Sequence, residues 1–164
     1  MCFRWVCIYV GVDGIRVNNK PIIPLYSTTE LSLATNKWKY EGPFFEGENQ
    51  QSLDTRYECP DYFEISSIDH EHRVKVLKLS YSKHDYYLIG RVDARSDHLK
   101  FKKSKRGPDF RLMDAGLMYA SKTFWDAKNS RRVLWGWVKE HKANRADDTD
   151  RFFTKHILLS PLLN

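Results

Sequence analysis

A chain of 164 residues, 41% of them hydrophobic, is long enough to form one domain with a buried core. Its 14% aromatic residues exclude a disordered coil, and the lack of any run of 18 apolar residues argues against a membrane-spanning helix or a membrane partner. The net charge of +6 permits an anionic partner without requiring one.

The predicted elements are short strands. The apolar segment 3–12 is interpreted as a buried strand rather than a secretion signal, because no small-residue cleavage site follows it. Polar or turn-forming clusters such as Gly42–Pro43 separate the segments, and no helical period is found. This pattern predicts an antiparallel all-β fold, either a sandwich, a barrel or a propeller. Further strands are predicted at 21–26, 57–65, 74–79, 86–92, 99–102, 117–125 and 133–138.

The most informative segment is 56–63, where Glu58 lies in an aromatic strand and is followed by Cys59 and Pro60. Aromatic neighbours desolvate a carboxyl group and raise its pKa, which suits a general acid. Alternatively, Glu58 faces solvent on an edge strand, which Pro60 would mark. The residues alone favour this second interpretation.

Four segments resemble, in the same order, motifs of glycoside hydrolase family 32, which comprises plant invertases, fructan exohydrolases and fructosyltransferases. Segment 57–62 resembles the acid/base motif Trp/Tyr-Glu-Cys-Pro-Asp-Phe/Tyr, and segments 83–90, 114–124 and 128–138 resemble three later motifs. The resemblance implies an incomplete five-bladed β-propeller of about two to three blades. Residues 1–150 would form part of the N-terminal propeller domain, and residues 151–164 an atypical C-terminal tail.

The resemblance also implies a chemistry. Family members hydrolyse or transfer terminal β-fructofuranosyl residues of sucrose or fructans with retention of configuration, which needs two carboxylates. Glu58 matches the acid/base residue, Cys59 the neighbour that tunes it, and Asp114 a substrate-binding carboxylate. Pro60 matches the cell-wall and exohydrolase subgroups. The resemblance implies no metal or other cofactor, and it implies an extracellular, cell-wall or vacuolar location.

The sequence also departs from the family. The nucleophile motif Asn-Asp-Pro-Asn and the motif Arg-Asp-Pro are absent, and Leu117 stands where the family has a lysine. The sequence is therefore interpreted as a fragment or decayed copy that is inactive by itself. The alternative is a non-catalytic, invertase-like carbohydrate-binding or interaction protein. Trp135 and Trp137 are expected to pack within their blade, although in an incomplete propeller they and Trp125 would stay partly exposed.

Three other candidate features are weaker. Segment 69–72 contains His70 and His72, but without further ligands a solvated turn is favoured over a metal site. The basic run 100–106 could contact nucleic acid, but lysines on an edge hairpin explain it, so no nucleic-acid partner is predicted. The three cysteines form neither a zinc spacing nor a disulfide framework.

Overall fold

The structure is a computed structural model, and all regular secondary structure that it describes is β-strand. The all-β prediction is therefore confirmed. No helix in the described part of the chain is long and apolar enough to cross a membrane. The described residues are 7–10, 15–18, 20–28, 37–48, 56–66, 72–95, 99–105, 110–116, 118–138 and 159–162.

These residues form three antiparallel sheets. The first sheet contains β1 (Cys7–Val10), β2 (Ile15–Val17), β3 (Lys20–Thr28) and β4 (Lys39–Glu46). The second contains β5 (Glu58–Ser66), β6 (Arg73–Tyr81), β7 (His84–Asp93), β8 (Lys100–Lys103) and β9 (Arg111–Leu112). The third contains β10 (Met118–Asp126), β11 (Arg131–Val138) and β12 (Leu159–Leu162).

The interpretation of Gly42–Pro43 as a separating turn is wrong, because both residues lie inside β4. β4 pairs with β3, and the register between them shifts on both sides of this dipeptide. Gly42 has a φ of 120°, a conformation that residues with a side chain rarely adopt. Irregular pairing in the edge strand therefore accommodates a glycine–proline pair that would break a central strand.

The central strand of the second sheet, β6, presents different chemistry on its two faces. Leu77 and Leu79 are buried on one face, and Lys78 and Ser80 are buried on the other. Successive side chains of a strand alternate between faces, so these four buried residues serve two interfaces. The leucines pack toward the first sheet, and the polar pair faces the third.

The interface between the first and second sheets is aromatic. Phe44 and Phe45 of β4 meet Tyr62 of β5 and Phe101 of β8, with ring centroids 5.4 to 6.2 Å apart. Tilted and edge-on ring pairs at such separations contribute about 0.5–1.5 kcal/mol each beyond their area burial. This interface therefore forms the apolar core of the described structure.

The third sheet covers the opposite face of the second, since β10 packs against β5, β6 and β7. Trp135 and Trp137 lie on β11 and are 38% and 51% exposed, so the expectation that they pack within the blade is wrong. Leu134 pairs with Thr123 of β10, which is bonded to the second sheet. Trp135 and Trp137 lie on the other face of β11, because successive side chains of a strand alternate between faces. The expectation that they and Trp125 stay partly exposed is confirmed.

Tyr57 provides a test of this core at high pH. Its hydroxyl is buried without a hydrogen-bond partner among the described residues, and burial raises the pKa of Tyr57 far above its usual value of 10.0. The unfolded chain therefore releases this proton before the folded chain does, so stability is lost as pH rises above about 10. We expect Tyr57→Phe to keep stability at pH 7, or gain up to about 1 kcal/mol, and to lose less stability above pH 10.

Urea unfolding followed by tryptophan fluorescence at pH 7 and at pH 10.5 measures both effects. Tyr87→Phe, at a half-exposed tyrosine of β7, is the matched control. A clear loss of stability at pH 7 in Tyr57→Phe would contradict the prediction, because it would mean that the hydroxyl has a partner.

Candidate functional site

Glu58 lies where the second and third sheets meet. It begins β5, the edge strand of the second sheet, and its side chain is half-buried. Its Oε2 accepts a hydrogen bond from the hydroxyl of Tyr119 on β10, and Oε1 has no partner among the described residues. The edge-strand interpretation is therefore correct for the backbone, but the carboxylate is turned toward the third sheet rather than left solvated.

Tyr119 is a neutral donor in this pair. Burial, followed by the hydrogen bond and the charge of Glu58, raises the pKa of Tyr119 well above its usual value of 10.0. The hydroxyl therefore keeps its proton at every pH near neutrality and fixes one oxygen of the carboxylate. A carboxyl group with one oxygen fixed and the other free can accept a proton when ionised, or deliver one when protonated, at a defined place.

Both strands that carry this pair are irregular immediately after it. The pairing of β5 with β6 shifts between Glu58 and Asp61, and the pairing of β10 with β11 shifts between Tyr119 and Lys122. Within these shifts Cys59 has a φ of 45° and Ala120 a φ of 54°, in the left-handed region. Left-handed conformations of residues with a side chain are costly and persist only where the surroundings impose them.

Several side-chain bonds next to these left-handed residues connect the second and third sheets. The ammonium of Lys122 donates to the carbonyl of Pro60, which is buried within the irregular part of β5. The carboxylate of Asp61 accepts from the backbone N–H and the hydroxyl of Thr123, both at 2.6 Å. Arg132 of β11 then donates to the same hydroxyl at 2.8 Å. These bonds join the start of β5 to the middle of β10.

The most buried charges of the described structure are Lys78 and Asp85, at 0% and 1% exposure. Their Nζ and Oδ2 atoms are 3.3 Å apart, and Ser80 bonds to both side chains. Burial lowers the pKa of Lys78, and the negative charge of Asp85 opposes that effect. Sequence reasoning missed this pair. The signal was available in β6, where Lys75 and Lys78 are an odd number of residues apart and so lie on opposite faces.

Asp114 lies in the turn that leads into β10. Its Oδ2 accepts from the backbone N–H groups of Gly116 and Met118 at 2.8 and 3.2 Å, which holds the turn. Its Oδ1 has no partner among the described residues. The structure records no contact between Asp114 and Glu58, although the strand that follows Asp114 carries Tyr119. Leu117 lies outside the described residues.

The histidine pair and the basic run were the other candidate features. His70 falls outside the described residues, and His72 is exposed. Within the described ranges no group of three histidine, cysteine or acidic side chains could hold a metal ion. The basic run borders a cleft of about 850 Å³ between β4 and β8, which neither Glu58 nor Asp114 lines. In this run Lys102 is paired with Asp93 at 2.6 Å.

Comparison with protein families gives a match to the model described as the glycosyl hydrolases family 32 N-terminal domain, over residues 4–158. Among curated relatives, the chain is 37% identical over 150 residues to the beta-fructofuranosidase, insoluble isoenzyme CWINV2, of Arabidopsis thaliana, covering 83% of this chain and 24% of that protein. It is 38% identical over 104 residues to the fructan 6-exohydrolase of Beta vulgaris, covering 56% and 17%. The chain thus spans a quarter or less of these relatives.

Among solved structures, the chain is similar to fructan 1-exohydrolase IIa from Cichorium intybus. The TM-score is 0.59 at 26% identity, and the match covers 80% of this chain and 26% of that one. A second structure of the same exohydrolase, in complex with 1-kestose, matches with the same TM-score at 24% identity. The three open sheets are therefore those of an incomplete β-propeller, as the sequence predicted.

Proposed function

We propose that this chain, which belongs to glycosyl hydrolases family 32 through its N-terminal domain, forms part of an enzyme. That enzyme would hydrolyse terminal β-fructofuranosyl residues of sucrose or fructans. The observation that carries the proposal is the Glu58–Tyr119 pair at the junction of two sheets. The names of its relatives, beta-fructofuranosidases and fructan exohydrolases, support the same substrate class.

Glu58 is the acid/base residue of this proposal. Its free Oε1 would protonate the glycosidic oxygen of the substrate as that bond breaks and the fructosyl carbon bonds to a second carboxylate, which another part of the enzyme would supply. This step leaves Glu58 as a carboxylate. The resulting carboxylate would then take a proton from the water that releases fructose, as a retaining mechanism requires. Tyr119 keeps the carboxyl group in one orientation through both steps, since its hydroxyl stays protonated.

Asp114 and Cys59 take supporting roles. The turn fixes one oxygen of Asp114, which leaves Oδ1 to accept a hydrogen bond from a sugar hydroxyl. Cys59 directly follows the acid/base residue, and its thiol is half-buried. Both residues are proposed on the family motif together with this placement.

A second carboxylate is needed for retention, and the sequence contains no Asn-Asp-Pro motif to supply it. We therefore expect the purified 164-residue chain to release no fructose from sucrose or 1-kestose. Enzymatic quantification of fructose measures this. Binding of either sugar without turnover would favour the alternative, a carbohydrate-binding protein of the same family.

The function itself is tested by grafting residues 56–138 into the matching part of the Arabidopsis insoluble isoenzyme, which supplies the remaining domain. We expect the graft to release fructose from sucrose, because the Glu58–Tyr119 pair lies entirely within the grafted segment. A graft that folds, as judged by circular dichroism and a cooperative melt, yet releases no fructose would contradict the proposed role of this segment.

A further inference from the structure

Glu58 and Tyr119 are each followed by one left-handed residue in an irregular stretch of backbone, and both stretches are bonded to one buried ion pair. The ammonium of Lys78 donates to the carbonyl of Cys59 at 3.4 Å and to the carbonyl of Ser121. Lys78 therefore contacts both irregular stretches, one residue beyond Glu58 on β5 and two residues beyond Tyr119 on β10.

Asp85 completes the arrangement from the other side. Its carboxylate accepts from the backbone N–H groups of Ala120 and Ser121 at 3.1 and 2.8 Å, and from the Ser80 hydroxyl at 2.5 Å. Ala120 is the left-handed residue of β10. The Asp85 carboxylate thus binds two backbone N–H groups of the irregular part of β10. Lys78 binds backbone carbonyl groups of the irregular parts of β5 and β10.

A buried ion pair needs further hydrogen bonds, because they satisfy the protons and lone pairs that the two charges leave over, so the informative point is where those bonds go. Removing two charges from water is costly, and apolar side chains can fill the same space at equal or better stability. Within the described part of the chain, every further hydrogen bond of these two side chains goes to Ser80 or to the backbone next to Glu58 or Tyr119. Charged partners also make stronger and more directional hydrogen bonds than neutral ones.

We infer that Lys78 and Asp85 are positioning residues, which hold the backbone of Cys59 and of Ala120–Ser121 so that the Tyr119 hydroxyl meets the Glu58 carboxylate. The inference rests on the proposed function for its catalytic meaning, since it assigns the pair to the acid/base residue. Its physical content, the dependence of one hydrogen bond on a buried ion pair, is independent of any sugar.

The experiment uses the full chain labelled with ¹³C at the Cζ of tyrosine, whose resonance reports the partner of the hydroxyl. Tyr119→Phe assigns the Tyr119 signal, and Glu58→Gln gives its position when the carboxylate is lost. We expect Lys78→Met to move the Tyr119 signal by at least half of the change that Glu58→Gln causes. The signal of Tyr57, on the opposite face of the second sheet, should stay in place.

Lys75→Met is the matched control, since Lys75 lies on the same strand but pairs with half-exposed Glu64 at 3.0 Å. It should leave the Tyr119 signal unchanged.

If Lys78→Met does not fold, Asp85→Asn takes its place. The amide has the shape of the carboxylate, but its nitrogen cannot accept a hydrogen bond, so one of the two backbone N–H groups loses its acceptor.

A Tyr119 signal that stays near its original position in a folded Lys78 or Asp85 variant would overturn the inference. The measurement involves no substrate, so it separates the two proposals. If the graft is inactive but the Tyr119 signal moves, the proposed function is wrong and the positioning role stands. If the graft is active but the signal does not move, the proposed function stands and the positioning role is wrong.

Discussion

Glu58→Gln in the grafted enzyme should lower the rate of fructose release from sucrose by about 10²–10⁴-fold. Glutamine keeps the size of the side chain and can still accept from Tyr119, but it has no proton to give to the glycosidic oxygen. The loss should fall on kcat more than on KM, because the proton is transferred in the transition state rather than in the bound ground state.

Two further measurements make this result specific. An aryl β-fructofuranoside, whose leaving group needs little protonation, should form the fructosyl-enzyme intermediate nearly as fast in the variant as in the parent graft. Added azide should then restore turnover, because it attacks the intermediate without a general base. Glu64→Gln, which changes a carboxylate on the same strand that is salt-bridged to Lys75, should leave all rates unchanged. Equal losses in the rate at which the intermediate forms from sucrose and from the aryl substrate would contradict the assigned role of Glu58.

The strand pattern was largely predictable from the sequence, because alternation and turn residues are local signals. The predicted strand 57–65 corresponds to β5, Glu58–Ser66, and the predicted strand 86–92 corresponds to β7, His84–Asp93. β4 was missed since a glycine–proline pair normally ends a strand, and only the shifted pairing with β3 allows it. Local rules could not anticipate that exception.

The site was predictable only in part. Resemblance to a family identified Glu58 from its neighbours in sequence, but its partner Tyr119 lies 61 residues further along the chain. Lys78 and Ser121 are likewise separated by 43 residues. Such contacts depend on how two sheets stack, which no local pattern encodes. A lysine in an alternating strand also suggests a solvated face, whereas here a second sheet covers that face and buries the charge.

Lys78→Met should lower the free energy of unfolding of the chain by about 3–5 kcal/mol, the usual cost of removing one partner of a buried ion pair. The variant leaves the Asp85 carboxylate buried without its counter-charge, and it leaves two backbone carbonyls without their donor. Urea unfolding at pH 7, followed by tryptophan fluorescence, measures the change. Lys75→Met, which breaks an ion pair of partly exposed groups, should cost about 0–1 kcal/mol.

The double variant Lys78→Met/Asp85→Leu separates two contributions to stability. One is the attraction between the two charges, and the other is their hydrogen bonds to the backbone. Replacing both members of a buried ion pair by apolar residues is often neutral or stabilising by about 1–4 kcal/mol. Here the second substitution also removes the acceptor of two buried N–H groups, at a cost of about 1–3 kcal/mol for each group. At the middle of both ranges the double variant is about 2 kcal/mol less stable than the parent, and we expect a loss of that order. Parent-like stability would mean that the bonds from Asp85 to the backbone of β10 contribute little to the free energy of unfolding.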